Sequence, residues 1–438
     1  MNGEGRNGGR KSIFIGSDDT GNEKCDKLMR QISFIKRNGK MKAKAKKIIN
    51  AHVISPGVDI KRATIIIANG KIKSVTPEDP KVKHSIGCEC CSGEFEEIID
   101  VRGKYVVPGF IDVHLHGACG YDVCDEDKPE AIAEIAKAKL EEGCTSFLPT
   151  TLTVSNKTLM AAAKNVAAYI KSGEPYAKVI GIHLEGPFIN PSCCGAQNPE
   201  YVRKPDIKEV LKISKVSPVR QVSFAVEEKG GVKFVEECFK NGIVPSCGHT
   251  GATLADFMPG YEKGLRHMTH FCNQMTKLHH REIGMVGAAF LIDDLNTEVI
   301  CDKIHLCPDM LRLIFKKRPL EHIQMITDSL RCSHLEDGYA FEMGGLKVML
   351  KDGQARLVEG GALAGSTLWM NQGLKNLRDV TGLPLKDLIR VTSWNQAIEQ
   401  GLGKKLGKVE KGFIADLAVL DTRSFDVCAV FVNGEQRI

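Results

Sequence analysis

The 438-residue chain lacks any apolar run that approaches the ~18 residues of a membrane-spanning helix. A signal peptide is also missing, because the Gly-, Asn- and Arg-rich residues 1–10 are not followed by an apolar segment. Apolar residues make up 42% of the chain and charged residues 26%, which is typical of a globular protein. We therefore expect a globular protein with no membrane partner.

The chain has no basic surplus outside its first residues. Residues 1–47 hold 13 of the 60 Lys and Arg residues but only 5 of the 54 Asp and Glu residues, which leaves 47 against 49 in the remainder. The net charge of +6 therefore comes from one end, and we expect no nucleic-acid partner for the body of the protein. We predict that residues 1–40 form a disordered basic extension, since Met41 opens a segment typical of a first strand.

Structural-zinc spacing is absent as well, although the chain has 16 cysteines. Neither Cys88-Glu-Cys90-Cys91 nor Cys193-Cys194 is accompanied by a second Cys or His pair at the required spacing. Without a signal peptide, cysteines of this kind indicate free thiols in a reducing compartment. We predict a cytoplasmic protein.

Strand-like and helix-like patterns follow one another along the chain. Residues 43–108 contain short strand-like runs, and Asn69-Gly70 between two of them is a hairpin signal. Further on, apolar strand-like runs alternate with amphipathic stretches such as 155–171, which begins at a Ser cap. These apolar runs cover residues 110–116, 145–150, 178–184, 221–225, 243–247, 266–270, 298–301 and 322–328.

Eight strands that alternate with helices predict an α/β fold, a (β/α)8 TIM-like barrel. The runs are continuously apolar rather than alternating, as expected of parallel strands buried on both faces. The segments 412–420 and 428–434 return to strand-like patterns. We therefore predict a barrel over residues 109–400, flanked by a small composite β-sandwich domain that residues 41–108 and 401–438 build together.

Side chains of metal-binding type stand where the predicted barrel strands end. The six are His114 and His116 on the first strand, Glu185 on the third, His249 on the fifth, His270 on the sixth and Asp328 on the eighth. His114 and His116 face the same way, because side chains alternate along a strand. A single His or Glu at such a position is more often a solvated or hydrogen-bonded residue. Six of them at the face where barrel enzymes keep their active sites predict a functional site.

The residue types in this set indicate metal-assisted hydrolysis. Imidazoles and carboxylates without clustered thiolates suit a divalent cation such as Zn²⁺, Fe²⁺, Mn²⁺ or Co²⁺. A carboxylate beside such a site can take a proton from water and return it to a leaving group, the role we assign to Asp328.

Several motifs around these residues carry a family resemblance. They are His-Leu-Glu-Gly-Pro-Phe at 183–188, Gly-His-Thr at 248–250, Thr-His-x-x-Asn-x-Met at 269–275, His-His-Arg-Glu-x-Gly at 279–284 and Ala-Gly-Ser at 364–366. Val-Pro-Gly-Phe-Ile-Asp at 107–112 and Gly-x-x-Ala-Asp at 412–416 stand at the two ends of the barrel. Together they resemble the N-acetylglucosamine-6-phosphate deacetylase family of the amidohydrolase superfamily. The resemblance implies release of acetate from an amino-sugar phosphate in amino-sugar catabolism.

The resemblance also implies roles for individual residues. Glu185, His249 and His270 would bind the main metal, and Asp328 would be the catalytic acid/base. His114 and His116 stand where many members have Gln and Asn, which implies one or two divalent ions per subunit. The positions implied to contact the substrate are Ala196, Asn273, Gln274, Arg281, His305, Leu363, Ala364 and Gly365. Arg281 and His305 among them would hold the phosphate, and the family implies a homodimer that sometimes shares residues between subunits.

Departures from the family pattern leave the substrate open. Gln197 stands where the family has a His that helps to polarise the acetamide carbonyl; Gln can donate a hydrogen bond there but carries no charge. Gln274 and Lys303 also differ, because they stand where the family has Ala and Gly, so N-acetylgalactosamine 6-phosphate or another acylated amine is an alternative substrate. A cyclic-amide hydrolase or deaminase is a further alternative, although Glu185 replaces the bridging lysine of many cyclic-amide hydrolases. A non-catalytic sugar-phosphate binder would be expected to have lost a ligand or the acid/base carboxylate, and none is lost.

Overall fold

The computed structural model describes residues 45–79, 81 and 95–438, together with the backbone of Ile13–Phe14. Its strands are β1 Ile13–Phe14, β2 Ala45–Ser55, β3 Val58–Ala68, β4 Lys71–Pro77, β5 Glu97–Asp100, β6 Tyr105–Pro108, β7 Phe110–Leu115, β8 Gly117–Ala118, β9 Tyr121–Asp122, β10 Cys144–Thr151, β11 Lys178–Val179, β12 Ile182–Glu185, β13 Val219–Phe224, β14 Val244–Cys247, β15 His267–Met268, β16 Asn296–Ile300, β17 Ile323–Ile326, β18 Ala340–Met343, β19 Leu346–Lys351, β20 Gln354–Leu357, β21 Leu417–Leu420, β22 Val427–Val432 and β23 Glu435–Gln436. Its α-helices are α1 Ala131–Glu141, α2 Asn156–Lys171, α3 Ile207–Ser214, α4 Gly231–Lys240, α5 Leu254–Glu262, α6 Gly284–Leu291, α7 Pro308–Lys317, α8 Met370–Thr381, α9 Leu385–Leu388 and α10 Trp394–Glu399. None of these helices is long and apolar enough to cross a membrane.

Eight parallel strands form the central barrel. Barrel strands one to eight are β7, β10, β12, β13, β14, β15, β16 and β17, hydrogen-bonded in that order. The eighth strand returns to the first, where the backbone N–H of Asp328 donates to the carbonyl of His114 at 2.8 Å. The predicted TIM-like barrel is therefore confirmed, and each of its strands lies within one of the eight predicted apolar runs or overlaps it.

Helix α2 begins and packs as the sequence predicts. Helix α2 starts after Ser155, whose side chain accepts a hydrogen bond from the backbone N–H of Thr158 at 3.1 Å. This bond satisfies one of the N–H groups that a helix start leaves without an intrahelical partner. Leu159, Ala163 and Val166 recur at helical spacing and are buried, so the helix turns one apolar face toward the barrel.

A second sheet joins the two ends of the described chain. Strands β2 to β6 and β21 to β23 belong to it, with β6 pairing antiparallel with β21. Asn69 and Gly70 have φ angles of 53° and 70°, the left-handed conformation that a tight hairpin turn needs. The sheet encloses an apolar core of its own, with Ile65 and Phe431 among its members. The composite β domain is thus confirmed.

Two predictions made for the N-terminal part of the chain concern residues that the structure does not describe. The extension predicted over residues 1–40 lies outside the described residues, except that the backbone of Ile13–Phe14 pairs in parallel with Ile99 and Asp100. Cys88, Cys90 and Cys91 also lie outside them.

A three-stranded antiparallel sheet, β18 to β20, follows the eighth barrel strand. The sequence pattern predicts strand-like pieces over residues 339–350 and 355–359, and the structure divides the first of them into two strands. Gly344 and Gly345, with φ angles of 55° and 88°, form the turn between them, a conformation that glycine adopts without steric cost. We call β18–β20, with the loop to residue 363, the flap sheet. Its position after the eighth strand brings it to the carboxyl end of the barrel.

Candidate active site and metal centre

The carboxyl ends of five barrel strands meet in one buried cluster. Glu185, at the end of the third strand, lies at its centre. Its Oε1 atom is 3.4 Å from His249 Nε2 and 3.0 Å from His270 Nε2. The same atom is 3.2 Å from His114 Nε2, and Glu185 Oε2 is 3.2 Å from His116 Nε2. The structure therefore brings five of the six predicted strand-end residues together in two overlapping ligand groups that share Glu185.

Hydrogen bonds to the ring nitrogens that face away from Glu185 fix the orientation of the imidazoles of His249 and His116. The Nδ1 atom of His249 lies 2.8 Å from the carbonyl of Cys193, and Nδ1 of His116 lies 3.1 Å from the carbonyl of Thr150. A carbonyl can only accept, so Nδ1 carries a proton and Nε2 is the ring nitrogen that points into the cluster, where it can bind a cation once it is unprotonated. A hydrogen bond from one ring nitrogen to a carbonyl orients metal-binding histidines in this way.

Glu298 on the seventh barrel strand does the same for His114. Its Oε2 lies 2.8 Å from His114 Nδ1, while its Oε1 accepts from Gln221 at 2.6 Å and lies 3.0 Å from His267 Nε2. Burial raises the pKa of Glu298, but His114 and His267 outweigh this effect and hold the pKa well below its usual range. An ionised Glu298 thus turns the Nε2 atom of His114 toward Glu185.

Opposite charges set the protonation of the cluster. Burial lowers the pKa of His116, but hydrogen bonds to Asp328 and Glu185 outweigh it and raise the pKa to about 9. Burial raises the pKa of Glu185, yet His114 and the neighbouring imidazoles hold it well below its usual range. A proton on His116 occupies the lone pair that a cation would use, so metal binding at this cluster must release protons.

The cluster fits a divalent cation. His114 Nε2 and Glu185 Oε1 are buried and, within the described chain, have no hydrogen-bond partner, although they lie 3.2 Å apart. The Nε2 atoms of His249 and His270 face each other at 3.0 Å. Unpartnered buried polar atoms are costly, and a cation bound between them would remove that cost. The mixture of imidazole nitrogens and carboxylate oxygens is typical of Zn²⁺ and related metals.

Asp328 stands beside this cluster on a tightly held backbone. Its Oδ1 lies 3.2 Å from His116 Nε2 and 3.6 Å from His114 Nε2. Its φ angle is 52°, a conformation in which Asp and Asn are enriched. Its carbonyl accepts from the backbone N–H of Ser366 at 2.7 Å, and a Cβ at Gly365 would lie 2.7 Å from the same carbonyl oxygen. The Ala-Gly-Ser motif therefore packs directly against the backbone of Asp328.

The cluster opens into a cavity of about 380 Å³. Its lining includes His116, Leu152, Glu185, Gly195, Ala196, Gln197, His249, His270, Asn273, Gln274, His305, Asp328, Leu330, Met343, Arg356, Ala362, Leu363 and Gly365. Most of the residues that the resemblance marked as substrate contacts are among them. His114 and Ala364 are not in the lining; both are fully buried.

Arg281, by contrast, is exposed and is not among the lining residues. One of its guanidinium nitrogens, Nη1, contacts His280 Nε2 at 2.7 Å. In the single chain it is therefore separated from His305, the other residue implied to hold the phosphate, which does line the cavity.

The side chain of Gln197 is hydrogen-bonded to the Glu185 carboxylate. Its side-chain N–H group donates to Glu185 Oε2, and its carbonyl oxygen accepts from the backbone N–H of Thr153 at 2.7 Å. The residue that replaces the family's usual His thus orients Glu185 in this structure.

Sequence reasoning missed two features of the site. The sequence shows Glu298 as a carboxylate within an otherwise apolar strand. Its hydrogen bond to His114 could not be predicted, because that contact forms only when the barrel closes. Arg356 and Met343 reach the cavity from the flap sheet, and nothing in the local pattern indicated which way that sheet folds.

Comparison with known proteins agrees with this geometry. The sequence profile described as the Amidohydrolase family matches residues 105–437, which is the barrel together with the C-terminal strands. The chain belongs to the amidohydrolase family. The family implies a divalent metal, in agreement with the ligand groups around Glu185.

Individual relatives of this amidohydrolase are also known. It is 34% identical to N-acetylglucosamine-6-phosphate deacetylase of Bacillus subtilis (strain 168), over 84% of this chain and 91% of that protein. It is 33% identical to N-acetylgalactosamine-6-phosphate deacetylase of Escherichia coli O157:H7, over 76% of this chain and 87% of that protein. The crystal structure of N-acetylglucosamine-6-phosphate deacetylase from Thermotoga maritima is similar with a TM-score of 0.79 at 32% identity, over 90% of this chain and 99% of that one.

Proposed function

We propose that this amidohydrolase removes the acetyl group from N-acetylglucosamine 6-phosphate, giving glucosamine 6-phosphate and acetate in amino-sugar catabolism. The observation that carries the proposal is that the Glu185 cluster and Asp328 open into one cavity of about 380 Å³, a size typical of small-molecule sites. The activity named for the Bacillus subtilis and Thermotoga maritima relatives supports this substrate.

We propose that the cluster holds one or two divalent ions. Glu185, His249 and His270 would bind the main ion, and His114 and His116 would bind a second one together with Glu185. The donor set suits Zn²⁺, Fe²⁺, Mn²⁺ or Co²⁺. A divalent cation at such a site supplies Lewis acidity, which lowers the pKa of water and polarises an amide carbonyl.

Asp328 is the residue that moves the proton. Burial raises its pKa, but His114 and His116 outweigh this effect and lower it, so Asp328 begins the reaction as a carboxylate. It accepts a proton from the water that attacks the acetyl carbonyl. It then donates that proton to the amide nitrogen, because the amine cannot leave as an anion.

The sugar is held by the cavity wall above the cluster. The side-chain amides of Asn273 and Gln274 can bond to sugar hydroxyls, whereas Ala196, Leu363 and Gly365 provide small or apolar surface. Ala364 supports this wall from behind, and Gln197 is a proposed contact of the acetamide carbonyl.

We propose that the protein forms a homodimer, as the resemblance implies. Arg281 is exposed and lies away from the cavity of its own chain, so its proposed phosphate contact would be made in the cavity of the partner subunit. Light scattering on the purified protein measures whether its mass is that of two chains.

We also propose a cytosolic location, since all twelve cysteines of the described chain carry free thiols.

N-acetylgalactosamine 6-phosphate is the second candidate substrate. The 33% identity to the Escherichia coli deacetylase of that sugar favours it, and the two sugars differ only in the orientation of one hydroxyl group. Gln274 lines the cavity at a position where this chain departs from the usual motif, so it is a candidate for reading that hydroxyl.

A substrate panel tests the proposal. Acetate release is measured on metal-loaded protein with both N-acetylhexosamine 6-phosphates and with their unphosphorylated forms. The proposal predicts the highest kcat/KM for N-acetylglucosamine 6-phosphate. A higher value for the galacto epimer would favour the second candidate, and no acetate from any of the four would refute both.

A further inference from the structure

One guanidinium group reaches the rim of the active-site cavity, and it belongs to Arg356. This residue lies on β20 of the flap sheet, where it pairs with Met349 across the strands. It is exposed and lines the same cavity as Glu185 and Asp328. The family motifs that identified the other site residues do not include it.

Arg356 lies in the part of the fold where barrel enzymes often bind phosphate. The flap sheet follows the eighth barrel strand, and His305 lies in the loop that follows the seventh. These two strands are neighbours in the barrel, and both side chains line the same cavity. Barrel enzymes frequently bind phosphate with the loops that follow strands seven and eight.

Arg356 has donors to spare and no competing anion. Its Nε and Nη2 atoms donate to Gln354 Oε1 at 3.2 and 2.8 Å, and Nη1 donates to the carbonyl of Gly361 at 2.8 Å. These contacts use three of the five N–H groups of a guanidinium and hold it to neutral acceptors. Among residues 45–79, 81 and 95–438, no carboxylate forms an ion pair with it.

His305 complements this arrangement. Its Nδ1 lies 2.7 Å from Asp302 Oδ2, which leaves Nε2 as the atom available to a ligand in the cavity. Burial lowers the pKa of His305, but Asp302 outweighs this effect and raises it, while the charge of Arg356 acts in the opposite direction. Both side chains thus line the same cavity, and the carboxylate of Asp302 contacts His305.

We propose that Arg356 binds the phosphate group of the substrate together with His305 of the same subunit, and that it thereby determines selectivity for phosphorylated sugars. The inference rests on the proposed function, whose substrate carries that phosphate. A planar guanidinium with two free N–H groups can bind a phosphate through two oxygens. Arg281 is then an additional phosphate contact, whichever cavity it reaches. The guanidinium that a chain supplies to its own cavity is that of Arg356.

Arg356→Gln tests the proposal. The variant should raise KM for N-acetylglucosamine 6-phosphate about tenfold to hundredfold, the effect expected when a hydrogen bond to a charged group is lost. Its kcat/KM for N-acetylglucosamine should stay at the wild-type value, since that sugar has no phosphate. Arg423→Gln removes the same charge from an exposed residue outside the cavity and should change neither value. Arg356→Lys keeps the charge without the planar fork and should fall between Arg356→Gln and wild type.

Titration with product separates this test from the deacetylase proposal. Calorimetry compares the binding of glucosamine 6-phosphate with that of glucosamine, and Arg356→Gln should weaken only the former. If the wild-type protein releases no acetate, the proposed function fails, while the titration still tests Arg356. If Arg356→Gln and Arg356→Lys both prefer the phosphorylated sugar as strongly as the wild type does, the inference is wrong, whatever the effect of Arg281→Gln.

Discussion

Asp328→Asn is the substitution that separates proton transfer from metal binding. Asn has the same shape as Asp and is also enriched in the left-handed backbone conformation, so the φ angle of 52° at this position is no obstacle. Neither of the two ligand groups that share Glu185 includes Asp328. We therefore expect the variant to fold and to bind metal as the wild type does.

The size of the effect follows from what Asn cannot do. Its amide oxygen is too weakly basic to take a proton from water, so both proton transfers assigned to Asp328 are lost. General acid–base catalysis contributes typically about 10²–10⁴-fold. We expect kcat to fall by that factor, which is an increase of about 3–5 kcal/mol in the activation free energy. The change in KM should be small, because Asp328 lies on the cavity floor beside the reacting group rather than at the sugar wall.

The assay is acetate release under saturating substrate, with metal content measured on the same sample. Asp352→Asn is a matched control, since Asp352 is exposed, has a φ angle of 51° and does not line the cavity. It should leave kcat unchanged. A kcat within threefold of wild type in metal-loaded Asp328→Asn would remove Asp328 from the chemistry.

Three further substitutions test the surroundings of the site. His116→Asn should lower the metal content from two ions per chain to one by mass spectrometry, and a wild-type protein with only one ion would rule out the second site. Burial lowers the pKa of His267, but Glu399 and Glu298 outweigh this effect and raise it to about 10. The stability that charged His267 contributes is therefore complete below pH ~6.5 and lost as pH rises toward 10. The difference in free energy of unfolding between wild type and His267→Gln should shrink over that range. A constant difference would contradict a raised pKa of His267. Buried Lys139 lies 3.0 Å from Asp112 and 2.5 Å from Glu142, so Lys139→Met should cost about 3–5 kcal/mol in urea unfolding by leaving buried carboxylates unpaired. A loss below about 1 kcal/mol would mean that those carboxylates take up protons instead.

The cluster around Glu185 could be predicted because barrel topology makes strand ends converge. Each predicted strand needed only an apolar run and a breaker, and the alternation of strands with helices then brought His114, His249 and Asp328 to one face. The left-handed backbone at His249 and Asp328, with φ angles of 47° and 52°, left no mark in the pattern.

The rim of the cavity could not be predicted in the same way. Arg356 belongs to a sheet of alternating exposed and buried residues, whose direction is set by packing against the barrel rather than by its own sequence. Glu298 could be seen as a carboxylate in an apolar strand, but its partner His114 is 184 positions away. Arg281 came from a motif, and in the single chain its side chain lies outside the cavity lining.

Acetate release by metal-stripped and metal-restored protein tests the central claim most directly. The purified protein is freed of metal with a chelator, divided, and one half is reloaded with Zn²⁺, Fe²⁺, Mn²⁺ or Co²⁺ before N-acetylglucosamine 6-phosphate is added. Metal-dependent deacetylation predicts no acetate from the stripped half and recovered turnover with at least one of the four ions. Equal turnover in both halves, or no turnover with any ion, would contradict it.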